Sequence, residues 1–221
     1  MITIADLKLQ RRWTLWRLEP GKDDKPTKVP YQPSGYKADI TNPAQLHTYA
    51  ELEQLAARWS GIGLSLSEFD GVSVWGVDFD KCCGAVTGKF SPETRQVVID
   101  LDTYGEYSPS GTGAHVLGIG KLPIEPGNKR SVLIRPYPGC KQIEIKGLGF
   151  YFTFTGRHLS KTPAQLEERQ DQIMALYNRV KRIPKPKKDG AAGLCVTMPA
   201  DSEEKFKTLM EGETKYYNGD H

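Results

Sequence analysis

The sequence predicts an α+β fold, and three observations carry that prediction. Stretches alternating apolar and polar residues with period two cluster between residues 61 and 156. Stretches that begin with helix-capping residues lie among and beside them, at 41–59, 91–104 and 162–181. No apolar run reaches the ~20 residues that a membrane span needs. A chain of 221 residues suits one large domain, or one domain with an appendage. The expected division is a main domain over 1–181, a Pro/Lys/Gly-rich linker over 182–193, and a short polar tail over 194–221.

Taken in order, "RRWTLWRLEP" and "TKVPYQPSG" read as two strands joined by the polar turn "GKDD". "TNPAQLHTYAELEQLAARW" reads as one helix, with Asn42 as cap, Pro43 in the first turn and Gln45 at capping-box spacing. "GIGLSLS" and "GVSVWGVDFD" read as strands forming a hairpin around "EFDG". "SPETRQVVIDLDTY" is a helix capped by Ser91 with Pro92 just inside. "YGEYS", "AHVLGIG" and "QIEIKGLGFYFTFTG" are strand candidates, the last turning at "KGLG". "TPAQLEERQDQIMALYNRVK" is a helix opened by Thr162, Pro163 and Gln165.

Charge is nearly balanced, with 30 basic and 27 acidic residues and a net +3, which permits a nucleic-acid partner without indicating one. Cys82, Cys83, Cys140 and Cys195 form neither a C-x-x-C pair nor a zinc pattern, so reduced thiols are expected. The N-terminus has no apolar segment followed by a cleavage site. The expectation is a soluble, cytoplasmic protein, monomeric by default.

The chemistry concentrates in "SVWGVDFD". Strand alternation puts Trp75, Val77 and Phe79 on one face and Val74, Gly76, Asp78 and Asp80 on the other. Two carboxylates this close repel unless something neutralises them. A divalent cation with oxygen ligands does so; a strand end entering solvent is the other reading. In "KQIEIKG", Ile143 and Ile145 face one way, while Glu144 faces the other beside Gln142 and Lys146. "GFYFTFTG" alternates likewise, with Phe150, Phe152 and Phe154 opposed to Tyr151, Thr153 and Thr155. Several strands thus offer one face to helices and the opposite face to a ligand. "YSPSGTGAHV" brings hydroxyls at Ser108, Ser110 and Thr112, tight turns at Gly111 and Gly113, and His115. It reads either as a phosphate cradle or as an ordinary turn, and it is not a Walker A loop.

In order along the chain, "WTLW", "KVPYQP", "GIG", "VDFD", "SPSGTGAH", "GKLP", "IEI" and "FTFTG" are all present. This set resembles the archaeo-eukaryotic primase superfamily, and within it the primase-polymerases of phages and plasmids. The resemblance spans roughly residues 11 to 160. It implies a catalytic core like an RNA-recognition-motif sheet, antiparallel with helices on one face, joined to a smaller N-terminal α/β unit. It implies template-directed nucleotide addition on single-stranded DNA with a primer, from dNTPs or NTPs, with Mg²⁺ or Mn²⁺. Carried over, Asp78, Asp80 and Glu144 would be catalytic metal ligands. Ser110, Gly111, Thr112, Gly113 and His115 would hold the incoming triphosphate. Lys28, Lys129, Arg130 and Tyr151 are further nucleotide-binding candidates, and Glu106 is a candidate for tuning the site. Family members often continue into a helicase. "LIRPYPGCKQIEI" is longer and richer in proline than the usual connection into the third motif. Two other readings compete: a metal-dependent nuclease using the same carboxylates, and a single-strand binding module in which Trp13, Trp16 and Tyr151 stack on bases.

Overall fold

The structure is a computed structural model that describes residues 2–21, 26–84 and 89–184. The expected "GKDD" turn falls largely outside these residues. So do nearly all of the linker, the whole tail and Cys195. Cys82, Cys83 and Cys140 form no disulfide among the described residues. Among the described residues, no helix is long and apolar enough to cross a membrane.

Among the described residues the fold is α+β, built on two larger antiparallel sheets and one two-stranded pair. The first has four strands: β2 (Trp13–Pro20), β3 (Pro26–Tyr31), β4 (Gly61–Ser65) and β10 (Tyr151–Phe154), in the order β10-β4-β2-β3. The second has five: β5 (Val74–Asp80), β6 (Gly105–Tyr107), β7 (Ala114–Ile119), β8 (Val132–Tyr137) and β9 (Cys140–Lys146), in the order β6-β7-β5-β9-β8. Helices α3 (Pro92–Leu101) and α4 (Gln170–Lys181) cover one face of the five-stranded sheet. Val97, Leu101, Ile173, Leu176 and Val180 pack there against Trp75, Val77 and Phe79. The opposite face carries Asp78, as the alternation predicts. The proline-rich connection before the third motif is the β8–β9 hairpin. Pro136 sits on the edge strand, where register shifts between Arg135 and Tyr137, a place that tolerates the missing donor.

Three boundaries depart from expectation. The predicted helix over 41–59 divides into a 3₁₀ turn (Pro43–Gln45), α2 (Tyr49–Glu53) and a second 3₁₀ turn (Ala56–Arg58). Asn42 caps only the first. His47 exchanges backbone hydrogen bonds with Trp13 of β2 at 3.0 and 2.9 Å, which pulls the chain out of helix. Thr48 and Glu51 then form a capping box that starts α2.

The hairpin expected around "EFDG" is absent: β4 pairs with β2 and β10, whereas β5 pairs with β7 and β9. Only Phe69 and Val72 bridge across the turn, which sends the chain from one sheet to the other. Helix α4 starts at Gln170 rather than Thr162. The Thr162 hydroxyl accepts the Gly105 N–H at 3.0 Å, and β11 (Gln165–Leu166) pairs with β1 (Ile2–Thr3). Helix α1 (Ile4–Leu9) was not anticipated; Thr3 and Asp6 form its capping box.

The two sheets touch through Phe152. Its ring lies over Gly76 on the polar face of β5, where a Cβ would stand 2.6 Å from Cε2. Glycine is required at 76 for this close approach and not for an unusual φ. Gly76→Ala should therefore overpack the junction and lower the melting temperature, by about 1–3 kcal/mol of stability. Adding Phe152→Leu should recover part of the loss; a thermal melt of both variants checks this.

Candidate active site

A cleft of about 1110 Å³ lies where β3 and β10 face β5, β7 and β9. Its floor comes from register. On β5, Asp78 stands directly opposite His115 of β7 and Glu144 of β9. The three therefore share one face of three adjacent strands, with apolar residues behind them. His115 Nε2 is 3.8 Å from Asp78 Oδ1. Glu144 accepts a hydrogen bond from Gln142 and pairs with Lys146.

The walls are basic and aromatic. Lys28, Lys129, Arg130 and Lys146 line the cleft, together with Phe150, Tyr151, Phe152 and Thr153. Lys28 comes from the other sheet and brings Nζ to 3.4 Å from Thr153 Oγ1. Loss of hydration in the cleft pulls the Lys28 ammonium below its usual range, while Asp78 opposes that shift. The Arg130 guanidinium lies 5.6 Å from the Phe150 ring centre. The Tyr151 ring fills the space over Gly63, and its hydroxyl is buried without a hydrogen-bond partner among the described residues.

Several predicted residues stand apart. Asp80 follows Asp78 on the same strand face, but it pairs with Lys141 at 3.5 Å and is not among the residues lining the cleft. Ser110, Gly111, Thr112 and Gly113 form the β6–β7 turn and likewise do not line it. There the Ser108, Ser110 and Thr112 hydroxyls hydrogen-bond in a row at 3.1 and 3.0 Å. The Gly111 and Thr112 N–H groups are also bonded within the turn. Trp13 and Trp16 are 0% and 6% exposed, so neither can stack on a base, which removes two of the three aromatics of the binding-module reading. Lys146 was passed over as a site residue, although the alternation that selects Glu144 puts it on the same face.

Asp78 and Glu144 offer hard oxygen donors on adjacent strands, a pair that fits a divalent cation such as Mg²⁺ or Mn²⁺. Among the described residues, no three His, Cys, Asp or Glu side chains converge on one point, and Asp80 is held by Lys141 instead of standing with Asp78 and Glu144. Burial raises the Asp78 carboxyl above its ordinary range; His115 opposes this and Glu144 adds to it. A carboxyl raised in the folded state binds its proton more tightly there than in the unfolded chain. Its stabilising effect is complete below the unfolded pKa of ~3.9 and fades as pH rises through the folded value. Asp78→Asn should thus raise the melting temperature in chelator at pH 7–8, with the gain over wild type shrinking as the solution is acidified.

No family model matches the chain. It is 29% identical over 156 residues to the DNA primase-polymerase of Nitratiruptor phage NrS-1. The match covers 69% of this chain and 20% of the relative, so the chain spans about a fifth of that protein's length. The ordered motifs and this match together relate the chain to the phage primase-polymerases.

Proposed function

We propose that this chain carries a template-directed, divalent-metal-dependent nucleotidyl transferase site that extends or starts DNA strands in the replication of a phage or plasmid-type element. The observation that supports this most is the pairing of Asp78 with Glu144 beneath the basic wall of one cleft. A bound Mg²⁺ or Mn²⁺ would supply charge neutralisation and activate the attacking 3′-hydroxyl.

The remaining work falls to the protein. Asp78 and Glu144 hold the cation, with Asp80 recruited from Lys141. Lys28, Lys129, Arg130 and Lys146 attract the triphosphate and balance its charge as it passes to the leaving pyrophosphate. His115 presents Nε2 beside Asp78, within the reach of a phosphate oxygen. The unpartnered Tyr151 hydroxyl supplies a polar contact for the nucleotide. The Ser110–Gly113 turn closes on the triphosphate only by exchanging its internal hydrogen bonds for the ligand. Single-stranded template and primer approach along the open end of the cleft.

The test is nucleotide incorporation on a single-stranded template, with and without annealed primer, with dNTPs or NTPs, in Mg²⁺, Mn²⁺ or chelator. Wild type should extend primer only with metal. Asp78→Ala and Glu144→Ala should each lower the rate by about 100-fold or more, as for removal of one preorganised electrostatic group. Lys28→Ala should raise the nucleotide KM about tenfold with a smaller change in kcat, because it removes one charge-assisted contact. DNA cleavage without triphosphate, and no incorporation, would replace this reading with that of a nuclease.

A further inference from the structure

Behind the cleft lies a buried acid that the proposed chemistry leaves without a task. Glu106, on β6, is 0% exposed, and its strand register places it opposite His115. Its carboxylate is surrounded by donors. Oε1 accepts the Thr155 N–H at 3.1 Å, and Oε2 accepts the Gly156 N–H at 2.9 Å and the Tyr104 hydroxyl at 3.2 Å. His115 Nδ1 completes the set, 3.2 Å from Oε1. Thr155 and Gly156 follow β10 of the four-stranded sheet, whereas Glu106 and His115 belong to the five-stranded one. One carboxylate therefore ties the end of one cleft wall to the histidine on its floor.

This surrounding fixes a proton. A carboxylate oxygen only accepts, so Nδ1 facing it takes the donor role and the ring carries its hydrogen there. Nε2 is then the nitrogen turned toward Asp78, at 3.8 Å. Phe152 meets the ring edge-on at 5.0 Å and limits its rotation. We propose that Glu106 is a positioning residue: it holds His115 with its hydrogen on Nδ1 and Nε2 facing the cleft, while locking the strand end that follows Tyr151 and Thr153. Carboxylate–histidine pairs orient metal-bound imidazoles in the same way. The catalytic consequence rests on the nucleotidyl-transfer reading; the proton's location does not.

Two measurements test it. The first is the ¹⁵N imidazole spectrum of the wild-type chain, with His115 assigned by the through-space contact of its ring with Phe152. A hydrogen-bearing Nδ1 is expected; a bare Nδ1 with hydrogen on Nε2 overturns the proposal, and no variant need fold to decide it. The second is Glu106→Gln, whose single oxygen suits the backbone N–H groups and whose amide then donates toward Nδ1. Its His115 resonances should shift toward the Nε2–H form, and the nucleotide KM should rise by about 10–100-fold, the cost of losing a residue that orients a functional histidine. The KM for primer-template should change little. A purely structural Glu106 would lower the melting temperature and leave both the tautomer and the nucleotide KM as in wild type, which would also overturn the proposal. If wild type incorporates no nucleotide at all, the nucleotidyl-transfer reading fails, while the tautomer measurement still decides the role of Glu106.

Discussion

The pairing register of β5 with its two neighbours is the constraint on which the rest depends. Because side chains alternate strictly along a strand, one register sends Trp75, Val77 and Phe79 into the helices and Asp78 out beside His115 and Glu144. A slip of one residue would bury Asp78 under α3 and α4 and expose three large apolar side chains. The same apolar burial that stabilises the five-stranded sheet therefore sets the acidic floor of the cleft. Stability and chemistry are not separate demands on this strand.

The walls depend on a second contact, the approach of the two sheets. Phe152 leaves the apolar core of the four-stranded sheet to lie in the notch at Gly76. Glu106 fastens the chain just past Phe154 to the far side of His115. Between these two fixed points, Lys28 and Thr153 meet Asp78 and Glu144 across the cleft. The electrostatics follow from that meeting. The Asp78 carboxylate that burial penalises is offset by His115, Lys146 and Lys28, and the Lys28 ammonium is in turn partly stripped of water. A cation on the floor and a polyanion against the wall would relieve both sets of charges together.

Much of this was legible in the chain. The α+β class, the apolar and acidic faces of 74–80, the capped helix at Ser91 and the polar face carrying Glu144 all depend on neighbours within a few residues. The misread elements share one cause. The stretch 41–59 has good helical spacing, but His47 is held by Trp13, more than thirty positions away. Thr162, Pro163 and Gln165 look like a helix start, but Gly105 and the chain's second and third residues claim that segment first. Trp16 looked available to a base because alternation gives a face and not what covers it; Gly61 lies against its indole.

By itself the sequence determined which strand faces are apolar and which carry charge, because period-two alternation is a property of the backbone, independent of partners. It also determined the order of motifs that relates the chain to phage primase-polymerases. Only the tertiary structure decided which faces meet. Long-range pairing put β4 and β5 in different sheets, brought Lys28 over Asp78, and carried the Thr155 and Gly156 N–H groups to Glu106. Each of these is a contact between residues distant in the chain, set by the competition of whole strands for hydrogen-bonding partners, and no local pattern encodes its outcome.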